Sequence, residues 1–297
     1  MGPSLPVVDA HHHVWDLEAR DQEWITGEEL APIRRTFTLA HLEPEARAAG
    51  VVATVVVQTV TVAEETPELL ALAAPGGLVA GVVGWTDLMA PDVADALAAL
   101  RGLPGGSRLV GIRHQVQGEP DPEWLLRPDV LRGLRAVAAA GLAYDLVVLP
   151  HQLPAAARAA ALVPGLTFVL DHAGKPPVAR RTTHPWAGGL RALAALPNTV
   201  CKLSGLVTEA DHRSWTVADL RPYADTVIDA FGPDRLMFGS DWPVCRLAAD
   251  YADVLDAAHE LTGGLGPSER RAVFAGTARR VYGLREPAVR DPGHTSR

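Results

Sequence analysis

Three histidines and one aspartate stand at the ends of apolar runs, where the chain could present them together. Asp9-Ala10-His11-His12-His13 directly follows the run that ends in Val7-Val8. Side chains two apart on a strand share a face, so His11 and His13 converge while His12 points elsewhere. Neutral imidazoles suit a divalent transition metal, and equally a hydrogen-bonded ligand or a structural pairing. Asp241 lies in Phe238-Gly239-Ser240-Asp241-Trp242-Pro243, again just after an apolar run. A carboxylate there could take a proton from water or bind a metal, or simply cap a turn. His172, in Leu170-Asp171-His172-Ala173-Gly174-Lys175, could orient water, contact a substrate oxygen or complete a metal site. Asp171 beside it has a competing role, packed behind the strand end.

Cationic and aromatic residues add to the set. Lys202 sits within an apolar run, where a lysine needs a partner or a pocket. It could stabilise negative charge on a carbonyl oxygen, or snorkel at a sheet edge. Arg113 ends the run Gly111-Ile112-Arg113-His114 and could hold a carboxylate or hydroxyls in its planar fork. His114, Tyr144 and His151 are further candidates for substrate binding. Trp85 and Trp242, with Trp15 and Trp186, offer an apolar or stacking wall, and equally core anchors.

Positioning these groups requires strands that end on one face. Eight β-like runs are present: Leu5–Asp9, Val51–Val60, Leu78–Trp85, Leu109–Val116, Leu142–Leu149, Leu166–Asp171, Thr199–Leu203 and Leu236–Gly239. Most are rich in Val, Ile or Leu without strict alternation, as strands buried on both faces of a parallel sheet are. Alanine-rich stretches of helical composition lie between them: Pro91–Leu103, Pro122–Ala140, Pro154–Leu162, Trp186–Leu196, Thr216–Phe231 and Asp250–Leu261, with a shorter one over Pro67–Ala74. A closing helix is expected from Ser268 as N-cap to a stop at Gly283. Candidate residues recur about thirty residues apart, room for a strand, a helix and two loops. The alternation predicts an α/β fold, a distorted (β/α)8 barrel over residues 1–284. The first interval is longer and predicts a covering loop near residues 14–48, centred on Asp16–Thr36. Residues 285–297 read as a polar tail.

Composition excludes several function classes. The chain has 297 residues, 48% apolar and 21% charged, with 27 Lys and Arg against 35 Asp and Glu. A net charge of −8 disfavours a broad nucleic-acid surface but leaves room for a local basic pocket. Two cysteines, Cys201 and Cys245, cannot build a zinc ribbon, an iron–sulfur site or a disulfide scaffold. No apolar run is long enough to span a membrane, and the first residues do not read as a secretory signal, so a cytoplasmic location is expected. No phosphate-binding loop, HExxH or GxSxG motif occurs. The sequence sets no oligomeric state.

The stretches VVDAHHHVWD, LVGIRHQVQ, LDHAGKP, CKLSGL, FGPDRLMFGSDWPV and FAGTARRVYGL, taken in order, resemble the amidohydrolase superfamily. Within it they resemble the amidohydrolase-2 group, which contains sugar lactonases of the L-fuconolactonase and L-rhamnonolactonase type. The resemblance implies a distorted (β/α)8 barrel that hydrolyses a small sugar-acid lactone. It implies Asp241 as the group handling the water proton, aided by His172 and Lys202. It implies His11, His13, His172 and Asp241 as ligands of one divalent metal such as Zn2+, with metal-free catalysis equally open. No lysine stands beside Arg113 to bridge two metals, which places a binuclear site in doubt. Two rivals share these residues: a metal-dependent decarboxylase of an aromatic or unsaturated acid, and a sugar-acid-binding barrel without turnover.

Overall fold

The computed structural model describes residues 5–73 and 76–284. Its centre is an eight-stranded parallel sheet in the order β1 to β8. The strands are β1 (Val7–His12), β2 (Val51–Val57), β3 (Val79–Gly84), β4 (Leu109–His114), β5 (Ala143–Leu146), β6 (Phe168–Leu170), β7 (Thr199–Leu203) and β8 (Leu236–Phe238). A parallel bridge between His12 and Trp242 closes the sheet into a barrel. All eight expected strands are present, several shorter than their apolar runs.

Helices wrap the outside: α1 (Leu39–Ala48), α2 (Glu65–Leu72), α3 (Val93–Gly102), α4 (Pro128–Ala139), α5 (Leu153–Leu162), α6 (Trp186–Ala194), α7 (Val217–Phe231) and α8 (Tyr251–Leu261). Two short helices, α9 (Pro267–Arg271) and α10 (Thr277–Tyr282), are joined by a π-helical turn over Ala272–Gly276. Local chemistry sets several ends. Asp219 accepts the backbone N–H of Thr216 at 3.0 Å and its hydroxyl at 2.7 Å, closing a capping box on α7. No helix among the described residues is long and apolar enough to cross a membrane.

Two expectations are corrected. The stretch near residues 14–48 is not loop throughout, because α1 occupies its last third. Pro44 interrupts the helical pattern, but Leu42 and Ala46 still bury one face against the barrel. Ser268 is not the cap of the closing helix. Gly266 precedes it, donating its N–H to Glu269, and Pro267 takes the first helical turn, where a missing N–H costs nothing. The tail expected at 285–297 lies outside the described residues.

The strand side chains divide into two cores. Outward residues such as Tyr144, Phe168, Cys201 and Phe238 pack under the helices. Inward residues Val8, Val55, Val83, Ala143, Val169, Val200 and Met237 form the barrel floor, which Ala275, Ala278 and Tyr282 cover from below. Above this apolar floor the inward positions turn polar, and the candidate site begins.

Candidate active site

A bulge in β1 decides which histidines enter the barrel. Pairing passes from Asp9 with Thr54 to His12 with Val56, so one extra residue is accommodated in β1. Val8 and Ala10 therefore face inward below the shift, and His11 and His13 above it. His12 faces the other way, its Nε2 3.0 Å from the Thr54 hydroxyl. The barrel seam holds this geometry. His13 donates its N–H to the Trp242 carbonyl at 2.6 Å, and Asp241 donates its own to the His11 carbonyl at 2.8 Å. Asp9 locks the seam from outside, accepting from Ser240 Oγ at 2.6 Å and Tyr251 Oη at 2.8 Å. Gly239 is required there, since a Cβ would lie 2.7 Å from His11 Cβ.

Four groups meet at the barrel mouth. His13 Nε2 lies 3.5 Å from Asp241 Oδ1, and the Nε2 atoms of His11 and His172 each lie 3.8 Å from it. His11 Nε2 and His13 Nε2 are 3.1 Å apart. Asp241 and His172 both have left-handed backbones, φ 57° and 52°, on residues other than glycine. Such conformations cost about 1–3 kcal/mol each and persist where the surrounding structure enforces them. Burial pushes the Asp241 carboxyl above its ordinary value, against the pull of His172, Lys175 and Arg113. Burial lowers His172 to about 4 and His13 to about 3, so both are neutral at pH 7.

The donors fit one divalent ion. His11, His172 and Asp241 can each offer a ligand atom within 4.8 Å of the others. His13 Nδ1 faces the Val57 carbonyl at 2.7 Å, so its proton sits there and its Nε2 lone pair turns toward His11 Nε2 and Asp241. Asp171 Oδ1 is buried without a hydrogen bond, 3.3 Å from His11 Nδ1. A proton on that nitrogen would satisfy Asp171 and free His11 Nε2 as a ligand.

Beneath the mouth lies a layer of paired charges. Lys202 is fully buried, with Nζ 2.5 Å from Asp145 Oδ2, 3.0 Å from Asp171 Oδ1 and 3.0 Å from His11 Nδ1. Asp145 Oδ2 accepts one of its protons, and Asp171 and His11 close the space around the rest. Lys202 therefore does not reach a substrate carbonyl, which corrects its expected place beside the oxyanion. Arg113 donates to Asp171 Oδ2 at 3.0 Å, to Gln58 Oε1 at 2.9 Å and to the Gln58 carbonyl. Its Nη1 also lies 3.3 Å from His11 Nε2. Tyr282 donates to Asp145 from below at 2.8 Å. Burial pushes Asp145 up to about 6 despite Lys202; Asp171 is buried too, but Lys202, His11 and Arg113 hold it well below the usual carboxylate range.

The mouth opens into a cavity of about 230 Å3 lined by His13, Arg113, His172, Lys175 and Asp241, with Trp24, Thr59, Gln115, Gln117, Val147 and Val244. Several expected substrate contacts lie elsewhere. Tyr144 is fully buried on the helix side of β5, packed at 6.0 Å on Phe168. His114 stacks on Trp124 at 4.2 Å, accepts the Trp85 indole N–H at 3.0 Å and faces Glu119 at 2.6 Å. His151 is exposed beyond β5. Trp242 is fully buried against Phe37. Trp15 is buried, and Trp186 supports the His172 turn by donating to the Ala173 carbonyl at 2.7 Å. The aromatic residue at the cavity is Trp24, from the long loop. Strand parity was the available signal for Asp145, which takes the inward position next to Tyr144; Gln115 follows the end of β4 and Gln117 sits in a 3-10 turn over Val116–Gly118, where parity does not apply.

Comparison with known proteins places the chain in a family. An amidohydrolase family model matches residues 8–284. An L-fucono-1,5-lactonase of Burkholderia multivorans is 42% identical, the match covering 95% of this chain and 97% of that protein. An L-fucono-1,5-lactonase of Burkholderia ambifaria is 39% identical over the same shares. The crystal structure of an amidohydrolase from Burkholderia multivorans with bound zinc superposes with a TM-score of 0.89 at 40% identity, covering 94% of this chain and all of that one. The chain belongs to the amidohydrolase family.

Proposed function

We propose that the protein hydrolyses a sugar-acid lactone, with Asp241 as general base. One observation carries this reading: Asp241 opens on the cavity with three imidazole nitrogens within 3.8 Å and, among the described residues, no side-chain hydrogen bond of its own. A buried carboxylate with unspent acceptors and a raised pKa is suited to take a proton from water. The water oxygen then bonds to the ring carbonyl carbon. The acyl C–O bond breaks, and the proton held by Asp241 passes to the departing ring oxygen. The product is a hydroxy acid, which releases one proton on ionising at neutral pH.

His172 and His13, both neutral, orient the water against Asp241. Arg113, although paired with Asp171, lines the cavity, so its field faces the developing oxyanion where that of Lys202, buried below, does not. One divalent ion such as Zn2+, held by His11, His13, His172 and Asp241, would supply Lewis acidity and a more acidic water. The similarity to L-fucono-1,5-lactonases makes that lactone the first substrate to test. Two buried, unpaired cysteines support a reducing compartment, consistent with the cytoplasm.

The test is an aldonolactone panel followed with a pH indicator, the products identified by mass. One proton and one ring-opened acid per turnover are expected. Carbon dioxide from an aromatic acid, or ligand binding without turnover, would overturn the reading in favour of a decarboxylase or a binding barrel. Dialysis against a chelator, with elemental analysis before and after, assigns the metal's share: activity that falls and returns with zinc places the ion in the reaction. Activity that survives metal removal leaves it to the protein groups.

A further inference from the structure

One buried carboxylate beside the site takes no part in the reaction drawn above. Glu65 opens α2, is 4% exposed and makes no ion pair among the described residues. A buried charge is costly unless donors surround it. The donors to Glu65 all come from one turn. Its Oε1 accepts the Thr59 N–H at 2.8 Å and the Thr59 hydroxyl at 2.5 Å, and its Oε2 accepts the Val60 N–H at 3.1 Å. Burial pushes the Glu65 carboxyl up, against the pull of these bonds and of Arg113. Glu65 does not line the catalytic cavity; it faces a separate one of about 190 Å3 between α2 and the long loop.

The turn that Glu65 holds also aims Arg113. Val60, fixed through its N–H by Glu65, accepts the Gln58 side-chain amide on its carbonyl at 3.0 Å. A glutamine whose nitrogen donates there turns its oxygen the other way. That oxygen accepts Arg113 Nε at 2.9 Å, and the Gln58 carbonyl accepts Arg113 Nη2. Asp171 holds the third nitrogen, Nη1. The Thr59 carbonyl accepts Gln115 Nε2 at 3.0 Å, on the neighbouring stretch of wall. Two guanidinium nitrogens therefore rest on the turn, and the turn rests on Glu65.

From this line of bonds we infer that Glu65 is a positioning residue: through Thr59, Val60 and Gln58 it sets how Arg113 faces the cavity. The effect on rate rests on the lactonase reading; the placement of Arg113 does not. A carboxylate suits the task because all three turn donors need acceptors. A glutamine in its place offers one acceptor oxygen and sets an NH2 against a donor of the turn. The turn then loses a tie, and Arg113 pivots on Asp171.

The experiment measures kcat and KM for L-fucono-1,5-lactone in Glu65→Gln, Arg113→Lys and the double variant. Glu65→Gln is expected to lower kcat about tenfold with little change in KM, as lost orientation does. Lysine has no planar fork for Gln58 to aim, so Glu65→Gln should cost less than about twofold in the Arg113→Lys background. An equal loss in both backgrounds, or an unchanged kcat in Glu65→Gln, overturns the inference. Gln58→Met cuts the line on the far side of the turn and must repeat the pattern, which decides the matter if Glu65→Gln folds poorly. Hydrogen exchange at Arg113 Nε, followed by NMR without substrate, should quicken about tenfold in Glu65→Gln. An unchanged exchange rate overturns the inference whatever the reaction. Wild-type protein that opens no lactone overturns the lactonase reading alone, and the exchange rate then decides the role of Glu65.

Discussion

Two polar layers lie one above the other inside the same barrel, built from similar residue types. In the lower layer every charge is spent. Lys202 and Arg113 face Asp145 and Asp171, and Tyr282 and Gln58 take up further bonds. In the upper layer, a few ångströms away, Asp241 has no side-chain hydrogen bond among the described residues and His13 turns its Nε2 toward His11 and Asp241 at the cavity. Both layers are buried and both contain shifted titrating groups. Burial and charge alone therefore do not mark the chemistry. Unspent bonding capacity facing a cavity does.

The largest effect should come from the upper layer. Asp241→Asn is expected to lower kcat about a thousandfold, the range of a general base, while the melting temperature stays within a few degrees. The lower layer should show the reverse. Lys202→Met leaves buried Asp145 without its cation, while Asp171 keeps Arg113, and costs about 3–5 kcal/mol of stability. Thermal unfolding should show it as a drop of roughly ten degrees. A Lys202→Met enzyme that melts normally but fails to turn over would break the comparison and return Lys202 to the reaction.

His12 belongs to neither layer and measures burial by itself. Burial lowers it to about 4 from 6.5, and its ring nitrogen meets Thr54. Its contribution to stability is fully present above pH 6.5 and is lost as pH falls through 4. The chelator-treated wild type should therefore lose stability relative to His12→Gln across that window, by about 3 kcal/mol at its lower end. A flat difference between the two would show that the ring is not buried in neutral form. The smallest effect is expected for Tyr282→Phe, which removes one hydrogen bond to a buried carboxylate and costs about 2 kcal/mol. A loss of turnover beyond the loss of folded protein would show that the floor tunes the mouth above it.

Much of this architecture is legible in the sequence because strands buried on both faces read as runs of valine and leucine. The same property hides which side chain faces in. On β4 Arg113 faces in while His114, as conspicuous by type, faces out, and Gln115 and Gln117 come after the strand in a turn without parity. On β5 Tyr144 masks Asp145 in the same way. Chemical prominence pointed one position away from the interior in both strands. Lys202 was conspicuous for a sound reason, but its carboxylate partners come from β5 and from the end of β6, and no local pattern shows that they enclose it. Helix α1 was hidden by Pro44, and Trp24 by its place in a loop without periodicity. The pairing of His11 with His13 was legible because the bulge in β1 lies before them, leaving the two-residue spacing intact.

Tyr282 has a consequence for how the protein is made. The first charged-layer neighbour to leave the ribosome is His11, and the last is the tyrosine that bonds Asp145 beneath it. At translation rates of about 5–20 residues per second, the two are separated by tens of seconds. Throughout that interval Asp145 lacks its tyrosine partner, and Ala275, Ala278 and Tyr282 have yet to cover the floor. The nascent chain thus carries His11 and His13 long before it can hold them in place, and the charged layer is complete only when α10 docks.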